Sequence, residues 1–436
     1  MKKKIGIIGG GFTGLTAGYS LAKKGHSVTI IEASSEIGGL ASGFKINNKN
    51  LEKAYHFVYK GDKHTKKLLK RLDIDSKLKF FPSSISTFYD GELYSMMSPL
   101  DLLRFKPLSF IDRIRAGVTA LILQFIKNPK KLSNTIAVDW LNKWAGKKVT
   151  KIIWEPLLIG KFDKFYKDIS MGWLWGRIKQ RMESQSNGRE LLGYLDDGFV
   201  QLSNALSMEI KKNGGKILLN SPVEEIEWVN SFEGYVINFK NGGSQSFDQI
   251  LFTTSNKIFA KIMEKQLKNS QPYLDKINSI DYLNAMTLVF SSTQKITDYY
   301  WHNINDKNSF VVFLCLSNLI GEEKFNGDYI YYIGDYMSKD RQIFYEDEAQ
   351  IKNTWFQDLK KIFPNFSLSS VKESHLFKFT DAQHIVGIDY KKRIPEYKTP
   401  IDGVFLSNFS QIYPMDRGIN FAIEEGFKVA EMIDKS

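Results

Sequence analysis

Near the N-terminus an apolar run, Ile5-Gly6-Ile7-Ile8, leads into Gly9-Gly10-Gly11-Phe12-Thr13-Gly14, and a second apolar run ends on Glu32. The spacing satisfies G-x-G-x-x-G, with an acid about 20 residues further on. It predicts a buried parallel strand over 4–8, a helix over 12–24 and a second strand over 27–32, a βαβ unit that binds a dinucleotide. Gly9 permits the tight turn, Gly11 lets the backbone approach a pyrophosphate, and Gly14 allows close helix–strand packing. The helix start, with Phe12 and Thr13 in its first turn, offers unpaired N–H groups and the positive end of the helix dipole. Glu32, followed by Ala33, is placed to accept hydrogen bonds from the ribose hydroxyls, and its charge disfavours a 2′-phosphate.

One core stops growing near roughly 250–300 residues, so a chain of 436 residues implies two domains. A formal charge of +12 favours anionic partners. The basic residues are spread along the chain, and with the dinucleotide motif the expected partner is an anionic small molecule rather than a nucleic acid. The one cysteine, Cys315, forbids an intramolecular disulfide and fits a reducing cytoplasm. The six histidines show no ligand spacing, so no metal is expected. The longest apolar stretch, 116–126, is far shorter than the roughly 20 residues of a spanning helix. The oligomeric state is not legible.

From residue 95 to 189 the pattern is helical, an insertion rich in Trp and basic residues. A helix over 202–213 and strands over 216–219, 225–228, 234–239 and 249–253 then return to a sheet. Aromatic-rich strands over 285–290, 310–316 and 329–333 predict a second sheet. A strand over 403–406 and an amphipathic helix over 418–433 close the chain.

After Glu32 comes a second glycine pair, Gly38-Gly39-Leu40. Here the sequence resembles the FAD-dependent amine oxidase superfamily, which includes protoporphyrinogen oxidase, phytoene desaturase and, distantly, UDP-galactopyranose mutase. The resemblance implies non-covalent FAD, with Gly38, Gly39 and Leu40 beside its pyrophosphate. Gly193 to Phe199 and Ser221 to Ile226 are similar to the family's return to the FAD domain, with Val223 meeting the adenine through its backbone. Gly403 to Asn408 and Tyr413 to Asn420 resemble its C-terminal flavin motif, in which a helix starts beneath the ring, so Asn408, Gly418, Ile419 and Asn420 become cofactor residues. A helix starting there would stabilise the reduced anionic ring.

The implied fold is α/β and α+β: a Rossmann-type FAD domain of residues 1–84, 191–258 and 396–436, with an inserted helical and β-sheet substrate domain of 85–190 and 259–395. His56, Tyr413 and Arg417 are candidates for facing substrate, His56 as an orienting or proton-transferring group. Trp175 and Arg177 fit either recognition of an anionic, ring-bearing substrate or plain helix packing. Residues 105–131 place apolar side chains on one helical face ringed by Arg and Lys. Burial against the substrate domain is the first reading, and contact with an acidic bilayer at the inner membrane face the second. The function implied is an FAD-dependent oxidoreductase removing a hydride from a C–N or C–C bond. The alternatives are a redox-neutral mutase acting on a nucleotide or lipid-linked sugar, and a non-enzymatic flavin-binding assembly factor.

Overall fold

The computed structural model describes residues 2–127, 129–186 and 188–436. The N-terminal strand Lys4–Ile8 is the centre of a five-stranded parallel sheet in the order 216–218, 27–31, 4–8, 249–252, 404–406. Its neighbours run in register, Ile5 beside Val28 on one side and beside Gln249 on the other. Ile5, Ile7, Val28 and Ile30 are buried on one face and Ile8 and Ile31 on the other, as both faces of a parallel sheet demand. Helix Phe12–Lys23 follows the glycine turn and packs against the last helix, Ile419–Lys435. Gly426 makes this packing feasible, since a Cβ there would stand 2.6 Å from the Thr13 carbonyl oxygen, and Gly14 lets the first helix close on the glycine turn, where a Cβ would stand 2.1 Å from the Gly9 carbonyl oxygen. The two ends of the chain are thereby locked over one face of the sheet.

A three-stranded antiparallel sheet, 223–229, 234–239 and 244–247, sits beside the parallel one. The second large sheet has seven strands, in the order 371–384, 282–292, 329–337, 312–315, 301–304, 85–89, 92–95. Every pairing in it is antiparallel except that of 301–304 with 85–89. One face is covered by helix Glu348–Ile362, whose Ile351, Trp355 and Leu359 are buried against Phe290, Phe313 and Ile333. The 14-residue strand Val371–His384 is not expected from the sequence, because Lys, Glu, Ser, His and Asp interrupt its alternation.

Residues 99–182 form the helical layer. Here the first reading of residues 105–131 is overturned. Helix Phe110–Phe125 buries only Ala116, Thr119 and Leu123, while Phe110, Ile111, Ile114, Val118, Leu121 and Phe125 are exposed. Toward the rest of the helical layer this helix turns Ala116, Thr119 and Leu123, and the stripe faces solvent. Asn128, within the same range, lies outside the described residues.

Candidate active site

The glycine turn and the second glycine pair touch. Gly11 and Gly38 form a parallel bridge, and Gly38 N–H donates to Gly10 C=O at 2.9 Å. Gly38 and Gly39 have φ of +116° and +60°, which glycine adopts freely. Glu32 accepts from Gly10 N–H at 2.7 Å and from Ser34 N–H at 2.8 Å, so the acid is fixed at the rim of the turn. Ala33 is exposed beside it. Ser221 N–H donates to Glu32 C=O at 2.9 Å, and this bond brings the segment leading into buried Val223 to the same rim.

Two helices begin at this cradle with no side-chain cap, at Gly11 and at Gly418. A Cβ on Gly418 would meet nothing within 4 Å, and one on Gly11 nothing nearer than Gly39 Cα at 3.9 Å. Thr254, against Gly9, buries a hydroxyl with no partner in the protein. Open backbone amides at two helix starts, a fixed acid and an orphaned hydroxyl are the donor and acceptor set that a flavin dinucleotide takes up.

Beyond Gly418 opens a cavity of about 280 Å³ between the seven-stranded sheet and the helical layer. Its apolar wall includes Leu40, Tyr55, Trp154, Trp173 and Trp301. Its charged wall centres on Asp416, which is buried with Lys161 Nζ at 3.3 Å and Arg177 Nη1 at 3.4 Å. Burial alone would raise this carboxyl, but Lys161, Arg177 and Arg417 outweigh it and hold it at about 2. Arg417 donates from Nε to Gln383 at 2.9 Å and from Nη2 to the Tyr336 hydroxyl at 3.0 Å. Burial opposes ionisation of Tyr336, yet Lys161 and Arg417 bring this phenol below its ordinary value. Two other carboxyls of the wall are pushed up chiefly by burial, Asp62 to about 6 and Asp335 to about 8, and Arg181 is neutralised by Glu190 at 2.8 Å.

Comparison with known proteins decides the family. Residues 12–433 match the profile of the flavin containing amine oxidoreductases. The chain belongs to the flavin-containing amine oxidoreductase family. A 4,4′-diapophytoene desaturase (4,4′-diaponeurosporene-forming) of Staphylococcus haemolyticus is 23% identical over 328 residues, 67% of this chain and 63% of the desaturase. An L-amino acid oxidase of Cerastes cerastes is 46% identical over 43 residues, 10% of this chain and 8% of that enzyme. The chain thus spans less than two thirds of the length of the curated relatives it matches. Among solved structures, an Exiguobacterium protein assigned as a protoporphyrinogen oxidase superposes with a TM-score of 0.78 at 16% identity, covering 100% of this chain and 99% of that one. Cyclohexylamine oxidase of Brevibacterium oxydans gives 0.71 at 14%, covering 100% and 99%. These structures share the fold. The glycine cradle fits the flavin that gives the family its name.

The structure gathers some of the sequence candidates at the cavity and removes others. Leu40, His56, Arg177, Arg417, Gly418, Ile419 and Asn420 line it. The Asn420 amide oxygen is spent on His64 N–H at 2.9 Å and Thr65 N–H at 3.2 Å, capping helix Lys63–Arg71. Asn408 is buried and satisfied by Thr254 C=O, Asn256 and Ser410, so it holds the sheet end together. Two candidates are corrected. Trp175 lies in the helical core, where its Nε1–H donates to Ile126 C=O at 3.2 Å, because helical spacing turns it away from the face carrying Trp173 and Arg177. Tyr413 turns into the same core, its hydroxyl 3.4 Å from that of Ser170, in space left by the missing side chain of Gly172.

Lys161, Tyr336 and Asp416 are the residues that sequence reasoning missed. Asp416 adjoins Arg417 in the C-terminal motif, but Lys161 and Tyr336 carry no local signal. Trp154 and Trp301 lie in aromatic clusters that the sequence does display; Trp154 ends a single π-helical turn, Thr150–Trp154, just before Pro156.

His56 is held by its Nδ1, 2.7 Å from Ala54 C=O. A carbonyl only accepts, so Nδ1 carries the hydrogen and Nε2 the lone pair. Burial, with help from Arg417 and Lys161, lowers this imidazole to about 4 and keeps it neutral at pH 7. The segment is anchored by buried Glu52, which accepts from Tyr194 Oη at 2.6 Å and Phe199 N–H at 2.5 Å. The Glu52 carbonyl accepts from Tyr332 Oη, a residue of the seven-stranded sheet, at 2.9 Å. Burial raises the Glu52 carboxyl to about 7 despite these bonds.

Proposed function

We propose that the enzyme oxidises a small molecule with an apolar body and an anionic group, removing a hydride from a C–C or C–N bond. The observation behind this reading is the charge balance beside Gly418: Lys161, Arg177 and Arg417 act on a single carboxylate, Asp416. A cationic ammonium entering there meets repulsion, and a carboxylate or phosphate meets attraction. FAD supplies the two-electron acceptor when bound.

The protein's own part is positioning. In this reading residues 1–84, 191–258 and 396–436 hold the cofactor, and 85–190 and 259–395 shape the substrate side. Lys161 and Arg177 fix the anionic group, and Trp154, Trp173 and Trp301 take the apolar body and exclude water. Tyr336, which accepts a hydrogen bond from Arg417 and is lowered from the ordinary phenol value by Lys161 and Arg417, is the group offered for proton exchange with substrate. His56 accepts a hydrogen bond at Nε2 without charging. The reading also includes peripheral contact with the inner face of a membrane, where apolar anions collect.

The test is anaerobic mixing of the FAD-loaded enzyme with amines, porphyrinogens, isoprenoid acids and nucleotide sugars. The expected result is bleaching of the oxidised flavin band by an anionic apolar compound. Bleaching by amines alone, or turnover of a nucleotide sugar only after dithionite reduction, overturns it.

A further inference from the structure

Helix Phe110–Phe125 is amphipathic in the inverted sense. Ile111, Ile114, Val118, Leu121 and Phe125, at steps of three and four, form one stripe that faces solvent, whereas the buried positions are Ala116, Thr119 and Leu123. Phe110, Ile111 and Phe125 are 68%, 77% and 76% exposed. Leu100 and Leu103 of the preceding helix, Pro99–Arg104, extend the patch, and Trp144 is exposed on the next. Single exposed apolar residues are ordinary, but a contiguous stripe over two helices marks an interaction surface.

The rim says what covers it. Residues 97–131 hold seven Lys and Arg against two Asp, and 143–151 hold four Lys and no acid. The two acids are turned inward on their own helix starts: Asp101 accepts from Ser98 N–H at 2.9 Å and Asp112 from Ser109 Oγ at 2.7 Å. We infer that this surface docks on an anionic phospholipid bilayer, lying in the interface with its apolar stripe among the acyl chains and its basic rim at the headgroups. A second copy of the chain would bring two such basic rims together and be repelled. No helix among the described residues is long and apolar enough to cross a membrane, so the contact is peripheral.

The docking face and the cavity share a wall. Trp154 packs on the small core beneath the stripe, with Phe105, Ala116 and Ile152, and also lines the cavity. Leu157, 38% exposed, lines the cavity too. An apolar anionic substrate would therefore pass from the bilayer to the cavity past Trp154 and Leu157. This route rests on the substrate reading above; the docking gives the membrane contact of that reading its surface and its lipid, and the exposed stripe and basic rim carry it without reference to substrate.

The experiment is flotation of the full-length FAD-loaded protein with phosphatidylcholine vesicles, with and without phosphatidylglycerol, at low and high salt and with no substrate present. Binding is expected only with phosphatidylglycerol, weakened by salt, and reduced on the order of tenfold or more in the Ile111→Glu/Phe125→Glu variant, with flavin spectrum and melting unchanged. Absence of binding to either vesicle, equal binding to both, or equal binding of variant and parent would overturn the proposal. So would a parent that sediments as a dimer and a variant that sediments as a monomer with no lipid bound by either, which would assign the face to a second copy. Because the readout is flotation, a failed docking proposal and a failed substrate reading are told apart.

Discussion

The two halves of the active site are built from opposite materials. The cofactor half is backbone: glycines that touch at Gly11 and Gly38, two uncapped helix starts, and one acid, Glu32. The proposed substrate half is side chain: Lys161, Arg177, Asp416, Arg417 and Tyr336 from separate elements meet around a cavity. A backbone cradle serves one ligand chemistry and tolerates little change, whereas a side-chain cavity can be re-specified without disturbing the fold. The family illustrates this, with desaturase and amino acid oxidase names among the chain's relatives.

The largest expected effect breaks the cofactor half alone. A Cβ on Gly11 meets no protein atom nearer than 3.9 Å, so Gly11→Ala should melt as the parent apoprotein does. It fills the space a pyrophosphate needs and should weaken FAD on the order of 1,000-fold, or about 4 kcal/mol, read by flavin titration.

Next comes the link between the halves. Glu52 ionises near pH 7 when folded and near 4.5 when unfolded, because burial disfavours its charge. Below 4.5 both states hold the proton. Between 4.5 and 7 only the native state does, so this group's contribution to stability falls as pH rises, by on the order of 3 kcal/mol in all, and is level above 7. Glu52→Gln keeps a neutral side chain there and should flatten the melting temperature over that window, measured by calorimetry at several pH values.

Smaller effects belong to the substrate half. Lys161→Met should leave the bound-flavin spectrum intact and raise KM for an anionic substrate about tenfold, a loss of about 1.4 kcal/mol, with kcat changed less. Trp175→Phe removes a core hydrogen bond and part of a buried ring, so it should cost about 1–2 kcal/mol of stability and leave KM unchanged.

This division also explains what was legible in the sequence. The cradle is written in residues 9–14, 32 and 38–40, because a tight turn and a close backbone approach each require a glycine at a fixed step. The parallel strands were legible as short apolar runs bounded by turn residues. Lys161 and Tyr336 were not, since their meaning depends on which face of helix Glu155–Phe162 or strand Tyr329–Met337 meets the cavity. Trp175 misled for the same reason, lying two residues from Trp173 and Arg177 on a helix where such steps diverge. The apolar periodicity of residues 110–125 was visible, but periodicity gives a face and not the direction in which tertiary packing turns it.

The proposed function requires that the cavity select an anion. The most direct measurement is spectral titration of the oxidised FAD-loaded enzyme with the carboxylate and the ammonium of one isoprenoid skeleton, in the parent and in Lys161→Met. The carboxylate should perturb the flavin band at a concentration about tenfold or more below the ammonium, and Lys161→Met should narrow the gap. Preference for the ammonium, or a gap that the substitution leaves unchanged, would contradict it.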